Sequence, residues 1–432
     1  MQNKRTFISF VGKGQIKKQT FDCYLTTTYN FGNNKLCSCR CFAEAVRKNG
    51  SFKFDEVVFI GTTTSSWSAL LESCEESEFE LWSRLFEQEK NNAPLSDDDR
   101  QKLQEILTRV WGKPVRISVH APELLDSNCT EIFNQYTAEI FAAGNDILLD
   151  ITHSFRWMPL LLTSAMQFKN AFGGANCTFE IIYGEYRPGA GAASPVRWLN
   201  KLVEGQETTD AIALFFQKFE ADQLSSKLES CWSAGARAIC QLSNHIQGNY
   251  FLPLLVDSSE KGFKIGQPLK QLNNTLKEFA DDGSYPAWVK QIHTQLKLIY
   301  DRLNIEYSPQ RFVNLADLLA KRKLYGQAIL NICLAAEQSL VIAYQVKYGY
   351  DKHPGYDKLK EIKDKFVRKV GKKSQYYSLL FNISILRNQV AHGGLAKDTA
   401  KILQPGSLIS QYNKILTDYR TFDDYLKNEF KP

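Results

Sequence analysis

The 432-residue chain has no run that approaches the 18 consecutive apolar residues of a membrane span, so no spanning helix is predicted. Its first residues, MQNKRTFISFVGKGQ, lack the long apolar core and small-residue cleavage site of a signal peptide, and the expected location is the cytoplasm, with no membrane partner. There the ten cysteines should stay reduced. No CxxC pair is present; Cys37, Cys39 and Cys41 in CSCRC would put three thiols on one face of a strand, yet no nearby histidine completes a tetrahedral site, so no metal is expected. GxGxxG and Walker A sequences are also absent. Charge of one sign is scarce: 53 Lys and Arg against 47 Asp and Glu leave +6, which permits an anionic partner without demonstrating one. What is present, 44% hydrophobic and 23% charged residues, excludes a disordered or fibrous chain and is long enough for several cores.

Residues 1–190 read as alternating strands and helices. Thr6 to Val11, Glu56 to Ile60, Ile147 to Ile151 and Phe179 to Tyr183 are short, rich in branched and aromatic residues, and followed by glycine or small polar residues. Near-continuous apolar strands separated by helical segments predict a doubly wound, Rossmann-like α/β domain with a parallel sheet buried on both faces. The charged stretch Ser68 to Thr108 reads as solvated helices on its rim. Beyond the loop PGAGAASP no convincing strand follows, and apolar residues recur at helical spacing; we expect a helical connecting region over 191–300 and a helical bundle over 301–432.

In an open parallel sheet, ligands bind beyond the carboxyl ends of the strands, where helix N-termini and free backbone N–H groups point. Three predicted loops lie at that edge. They are Gly12-Lys13-Gly14, then the segment carrying Thr62, Thr63, Thr64, Ser65 and Ser66, and then Thr152, His153, Ser154 and Arg156. Glycines, hydroxyls, a lysine, an arginine and a histidine suit phosphate. Ser and Thr also cap helices with or without a ligand, so the second loop alone leaves both readings open. His153 and Arg156, three apart at a strand end, are harder to explain by capping.

The helical half carries a second pattern. SLLFNISILRNQVAHGG is an apolar-periodic helix ending in a double glycine, interrupted by Arg387, Asn388 and His392. Asn388 and His392 are four apart and share a face, Arg387 is about 140° from His392, and the helix C-terminus favours imidazolium. A protonatable histidine, a phosphate-binding arginine and an orienting amide suit metal-free RNA cleavage, in which the 2′-OH attacks the adjacent phosphorus and the 5′-oxygen leaves. Locally the same residues also fit an ordinary helix end with a surface arginine. Glu337 stands on the preceding long helix as a second-sphere partner or a surface acid. His120, His245, His293 and His353 have no ligand-spaced neighbour and read as structural.

Together, GTTTSSW, DITHSFRWMP and YGEY after successive strands resemble the CARF sensor domain of type III CRISPR-associated accessory ribonucleases; Ser154 stands where that family often has glycine. Arg387-Asn388-x-x-x-His392 at the end of an apolar helix resembles the HEPN ribonucleases. The first resemblance implies a homodimer or higher symmetric oligomer binding a cyclic oligoadenylate, tetra-adenylate preferred, as activator, through the three loops. The second implies a composite, metal-independent site that cuts single-stranded RNA with Arg387, Asn388 and His392. Two other readings stay open: a non-catalytic sensor or scaffold, and a ring nuclease degrading the messenger in the sensor pocket.

Overall fold

The computed structural model describes residues 4–14, 26–32, 35–71, 75–121, 124–125, 127–155, 157–173, 177–185, 193–257, 263–279, 284–348, 356–391 and 405–430. It divides into two units, 1–206 and 207–432.

The first unit is built on one eight-stranded sheet: β1 (Arg5–Val11), β2 (Thr27–Asn30), β3 (Leu36–Cys39), β4 (Glu56–Thr62), β5 (Val115–His120), β6 (Asp146–Asp150), β7 (Thr178–Gly184) and β8 (Ser194–Trp198), in spatial order β3-β2-β8-β7-β6-β1-β4-β5. From β5 to β7 every pairing is parallel; β8 then runs antiparallel to β7 and parallel to β2, and β3 closes that edge antiparallel to β2. The five parallel strands, counted along the chain, lie in the order 3-2-1-4-5, that of doubly wound nucleotide-binding sheets.

Alternation along these strands feeds two cores. Phe7, Val11, Val57, Phe59 and Leu148 face one side, beneath α1 (Phe42–Asn49), α2 (Phe79–Lys90) and α3 (Asp97–Trp111). Ile8, Phe10, Val58, Ile60, Ile147 and Leu149 face the other, beneath α4 (Cys129–Ala142) and α5 (Trp157–Gly173). A sheet covered on both faces needs strands without a solvated side, which is why these runs are mostly apolar. Four strands are absent from the sequence expectation. β2, β3, β5 and β8 have polar residues at every other position or lie at an edge, so they present no continuous apolar run. Of the three cysteines, Cys37 and Cys39 lie on β3, whereas Cys41 has left the strand and is the N-cap residue of α1. The charged stretch from Ser68 does form rim helices, and α2 and α3 bury Leu81, Leu85, Leu103 and Leu107 while their other faces are solvated.

The second unit is helical: α6 (Asn200–Lys218, in which the boundary falls), α7 (Asp222–Glu229), α8 (Ser233–Gln247), α9 (Phe251–Leu255), α10 (Gln267–Lys277), α11 (Ala287–Leu303), α12 (Ser308–Lys321), α13 (Tyr325–Tyr348), α14 (Tyr356–Val370), α15 (Gln375–Ala391) and α16 (Pro405–Glu429). One continuous core runs from Ala211 to Phe430 and crosses residue 300 without a break. At its centre α13 is long and mostly buried, because α12, α14, α15 and α16 pack around it.

Buried Arg311 on α12 ties the segment around Leu255 and Phe263 to the turn that precedes α12. Its guanidinium donates to the carbonyls of Ile305 (2.6 Å), Leu255 (3.0 Å), Phe263 (2.7 Å) and Glu306 (3.1 Å). Arg311→Met would leave these acceptors without their donor in a water-poor interior, at a cost of at least about 3 kcal/mol. The expected result is a clear fall in the urea midpoint; an unchanged midpoint would show that the staple carries no stability.

Candidate functional site

β4, β1 and β6 are neighbours, and their parallel pairing brings the ends of all three to one edge of the sheet. Strand order reverses at β1 and β6, so the loops after them flank the crevice where such sheets bind ligands.

Backbone contact holds the loops together. A Cβ on Gly12 would lie 2.8 Å from the carbonyl oxygen of His153, a distance only glycine tolerates, so the first and third loops touch main chain to main chain. The Ser66 N–H donates to Gly12 O (2.9 Å), and the Gly14 N–H donates to Ser66 Oγ (2.9 Å), joining the first loop to the second. Lys13, Gly14, Thr64 and Ser66 line a cleft of about 180 Å³ together with Glu89, Lys90 and Asn92 at the end of α2. Lys13 Nζ donates to Asn92 Oδ1 (2.6 Å), and Asn92 has a left-handed backbone (φ 52°), as suits a residue just past a helix end. Glu89, Lys90 and Asn92 were not anticipated from sequence, since nothing local announces that the end of a rim helix folds back beside Lys13.

Within the hydroxyl-rich loop the roles divide. Ser65 Oγ donates to Val11 O (2.6 Å) and accepts from the Thr62 N–H (2.8 Å), and the Trp67 indole N–H donates to Thr62 O (3.0 Å). Thr62, Ser65 and Ser66 are buried. They shape the turn around Gly61, where a Cβ would strike the Trp67 ring at 2.6 Å. Thr63 and Thr64 are half-buried.

The third loop rests on an acid. Asp150 is fully buried, accepts from Ser9 Oγ (2.6 Å) and from the Thr152 N–H (2.8 Å), and burial pushes its carboxyl up to about 6. Thr152 Oγ1 in turn accepts from the Gly184 N–H (2.8 Å), and Ser154 Oγ donates back to Ile151 O (3.0 Å). His153 Nε2 accepts from the Phe42 N–H (3.2 Å), one of the otherwise unpaired donors in the first turn of α1, so the proton sits on Nδ1. Burial pushes its pKa down to about 4, and near pH 7 the ring is neutral. Toward an anion it therefore brings no positive charge, a distinction that residue type alone does not reveal. Arg156 lies outside the described residues.

A pH test follows from His153. Its folded pKa lies below the ordinary 6.5, so as pH falls the unfolded chain takes up the proton first; the stabilisation is complete above about pH 6.5 and drains away toward pH 4. Asp150 works in the opposite direction, its raised pKa adding stability as pH falls from about 6. His153→Gln keeps an acceptor for Phe42 and removes the titration. Between pH 7 and pH 4.5 the wild type should lose roughly 2 to 3 kcal/mol more than the variant, read from urea midpoints at both pH values. Parallel losses would contradict the neutral, capping histidine.

In the helical unit, Arg387 lies on the last turns of α15. Its Nη1 donates to Glu337 Oε1 on α13 (2.5 Å), and Lys363 Nζ on α14 donates to the same oxygen (2.6 Å). Glu337 is buried, so its charge is answered by two cations from two other helices. One turn earlier, burial and the Glu337 carboxylate push the Cys333 thiol up to about 12, which leaves it protonated and inert. The acid that sequence left as either partner or surface residue is thus a direct partner of Arg387, and Lys363 was not anticipated. The Asn388 side chain and His392 lie outside the described residues, as does His353. His245 Nδ1 pairs with Gln241 O (2.8 Å) and His293 Nε2 with Leu276 O (3.1 Å), both structural contacts, and His120 is buried between Ser118 and Gln135. Among the described residues no three metal-ligating side chains cluster.

No protein-family profile matches the chain. It is 24% identical over 371 residues to the CRISPR-associated protein MJ1674 of Methanocaldococcus jannaschii, an alignment covering 80% of this chain and 55% of that protein; the chain spans about half the length of the curated relative it matches. Among solved structures, Enterococcus italicus Csm6 bound to cyclic hexa-2′-fluoro-hexa-dAMP aligns with 100% of this chain and 98% of its own, at 13% identity and a TM-score of 0.26, which is too low to carry an argument.

Proposed function

We propose that the chain is a cyclic oligoadenylate-activated, metal-independent endoribonuclease of type III CRISPR defence, acting in the cytoplasm as a homodimer. The observation that carries the reading is the meeting of the Gly12, Thr62 and Thr152 loops on adjacent parallel strands at the strand-order reversal. Similarity to a CRISPR-associated protein supports the same reading. In one copy the cleft beside Lys13 has room for a phosphate and its sugar but not for a cyclic oligonucleotide, which suits a ring shared by two copies across a two-fold axis.

In the helical unit, Arg387 would stabilise charge on the phosphoryl oxygens while His392 moves the proton between the 2′-OH and the departing 5′-oxygen, with Asn388 orienting the scissile phosphate. The messenger acts by binding the active arrangement more tightly than the resting one. Labelled single-stranded RNA incubated with the purified chain, with and without cyclic tetra-adenylate and cyclic hexa-adenylate, tests the whole. Cleavage that rises with one ring is the expected result. No cleavage under any condition removes the nuclease, and no ring bound removes the sensor.

A further inference from the structure

Positive charge is in excess along one helix of the second unit. The chain as a whole has an excess of +6, and residues 356–373 alone hold eight Lys or Arg against three Asp or Glu. That segment is α14 and the turn after it. Its apolar side is fully used, since Ile362 and Phe366 are buried in the core and Leu359 packs against them. Some of its charges are answered locally: Lys358 and Lys365 pair with Glu361, and Lys369 with Glu429. Lys360, Arg368 and Lys372 are exposed and form no ion pair among the described residues. At 100° per residue Lys360 and Arg368 lie about 80° apart on α14 and about 12 Å apart along its axis, with Asp364 the carboxylate between them, and Lys372 follows in the turn after Gly371.

This face leads to the candidate nuclease site. Lys363, on the same helix, and Arg387 each lie within 2.6 Å of the same Glu337 oxygen, so the two cations are no more than about 5 Å apart. A phosphate drawn to Lys363 is therefore within reach of Arg387. A solvated helix of mixed charge would balance its signs; this one is markedly one-sided and is joined to the candidate site through a shared carboxylate.

We propose that the outer face of α14 and the turn after it are the substrate track, holding the phosphates of single-stranded RNA through Lys360, Arg368 and Lys372, with Lys363 handing one phosphate to Arg387. This rests on the ribonuclease reading and adds where the substrate lies. The contacts are to backbone, so the track reads charge and not sequence.

The test uses the full chain with messenger and a 2′-O-methyl RNA that binds without being cut. The triple variant Lys360→Gln/Arg368→Gln/Lys372→Gln changes only exposed positions. It should weaken binding about tenfold or more and flatten the slope of log affinity against log salt by about 2, at about 0.7 per lost phosphate contact on a single strand. With cleavable RNA the loss should fall on KM, turnover at saturating RNA staying within about twofold. Asp364→Lys should act in the opposite direction and tighten binding severalfold, an effect that damage to the fold does not produce. Wild-type affinity and salt slope in the triple variant, with RNA still cut, overturn the track and leave the ribonuclease standing. A wild type that neither binds nor cuts RNA overturns both, and one that instead binds phosphatidylserine vesicles through these residues assigns the face to a membrane surface.

Discussion

His392→Ala is expected to abolish RNA cleavage, and Arg387→Ala to lower it by roughly 10²-fold or more, with messenger binding intact in both. The two losses have different causes. Without His392 no group on the motif moves a proton near neutral pH; without Arg387 the proton still moves, but charge developing on the phosphoryl oxygens lacks its partner. The structure adds a control that sequence could not supply. Arg387 shares Glu337 with Lys363, so Arg387→Ala leaves the buried carboxylate still answered by one cation, and the fold should hold. A melting temperature close to the wild type, with cleavage lost, is the expected pair of results. Cleavage should also persist in excess EDTA and vanish on an all-2′-deoxy substrate, as the proposed attack by the 2′-OH requires. His392→Ala cutting at the wild-type rate would end the catalytic assignment.

Arg156→Ala should weaken cyclic oligoadenylate binding by at least about tenfold and raise the messenger concentration needed for activation to match, leaving cleavage at saturating messenger largely intact. His153 is neutral and caps α1, and Lys13 is engaged with Asn92, so these two residues supply less free positive charge at this edge than their types suggest. Gly12→Val is the geometric counterpart. A side chain there meets the His153 carbonyl at 2.8 Å from its first atom, so the two loops must part and the response to messenger should be lost altogether. Titration of messenger, read by calorimetry and by RNA cleavage, separates the outcomes: a parallel shift for Arg156→Ala, no response for Gly12→Val. Unchanged affinity in the first variant would take Arg156 out of the site.

Much of this protein is determined by short-range pattern. The runs around Phe7, Val58, Leu148 and Ile181 are strands of a doubly covered sheet because branched and aromatic residues predominate on both of their sides, and the apolar spacing after residue 200 makes helices for the same local reason. Strand ends follow from strand positions, and so the loops at Gly12, Thr62 and Thr152 were legible too. Strands with a polar side, such as β5 and β8, were not, because their mixed residues present no continuous apolar run. Sequence likewise could not divide the hydroxyls of one loop into those turned inward, like Ser65, and those left half-buried, like Thr64. Tertiary structure decided those matters, since each depends on a partner brought close by folding: the Val11 carbonyl for Ser65, the first turn of α1 for His153, and, across three helices, one buried carboxylate at Glu337 that gathers Lys363 and Arg387.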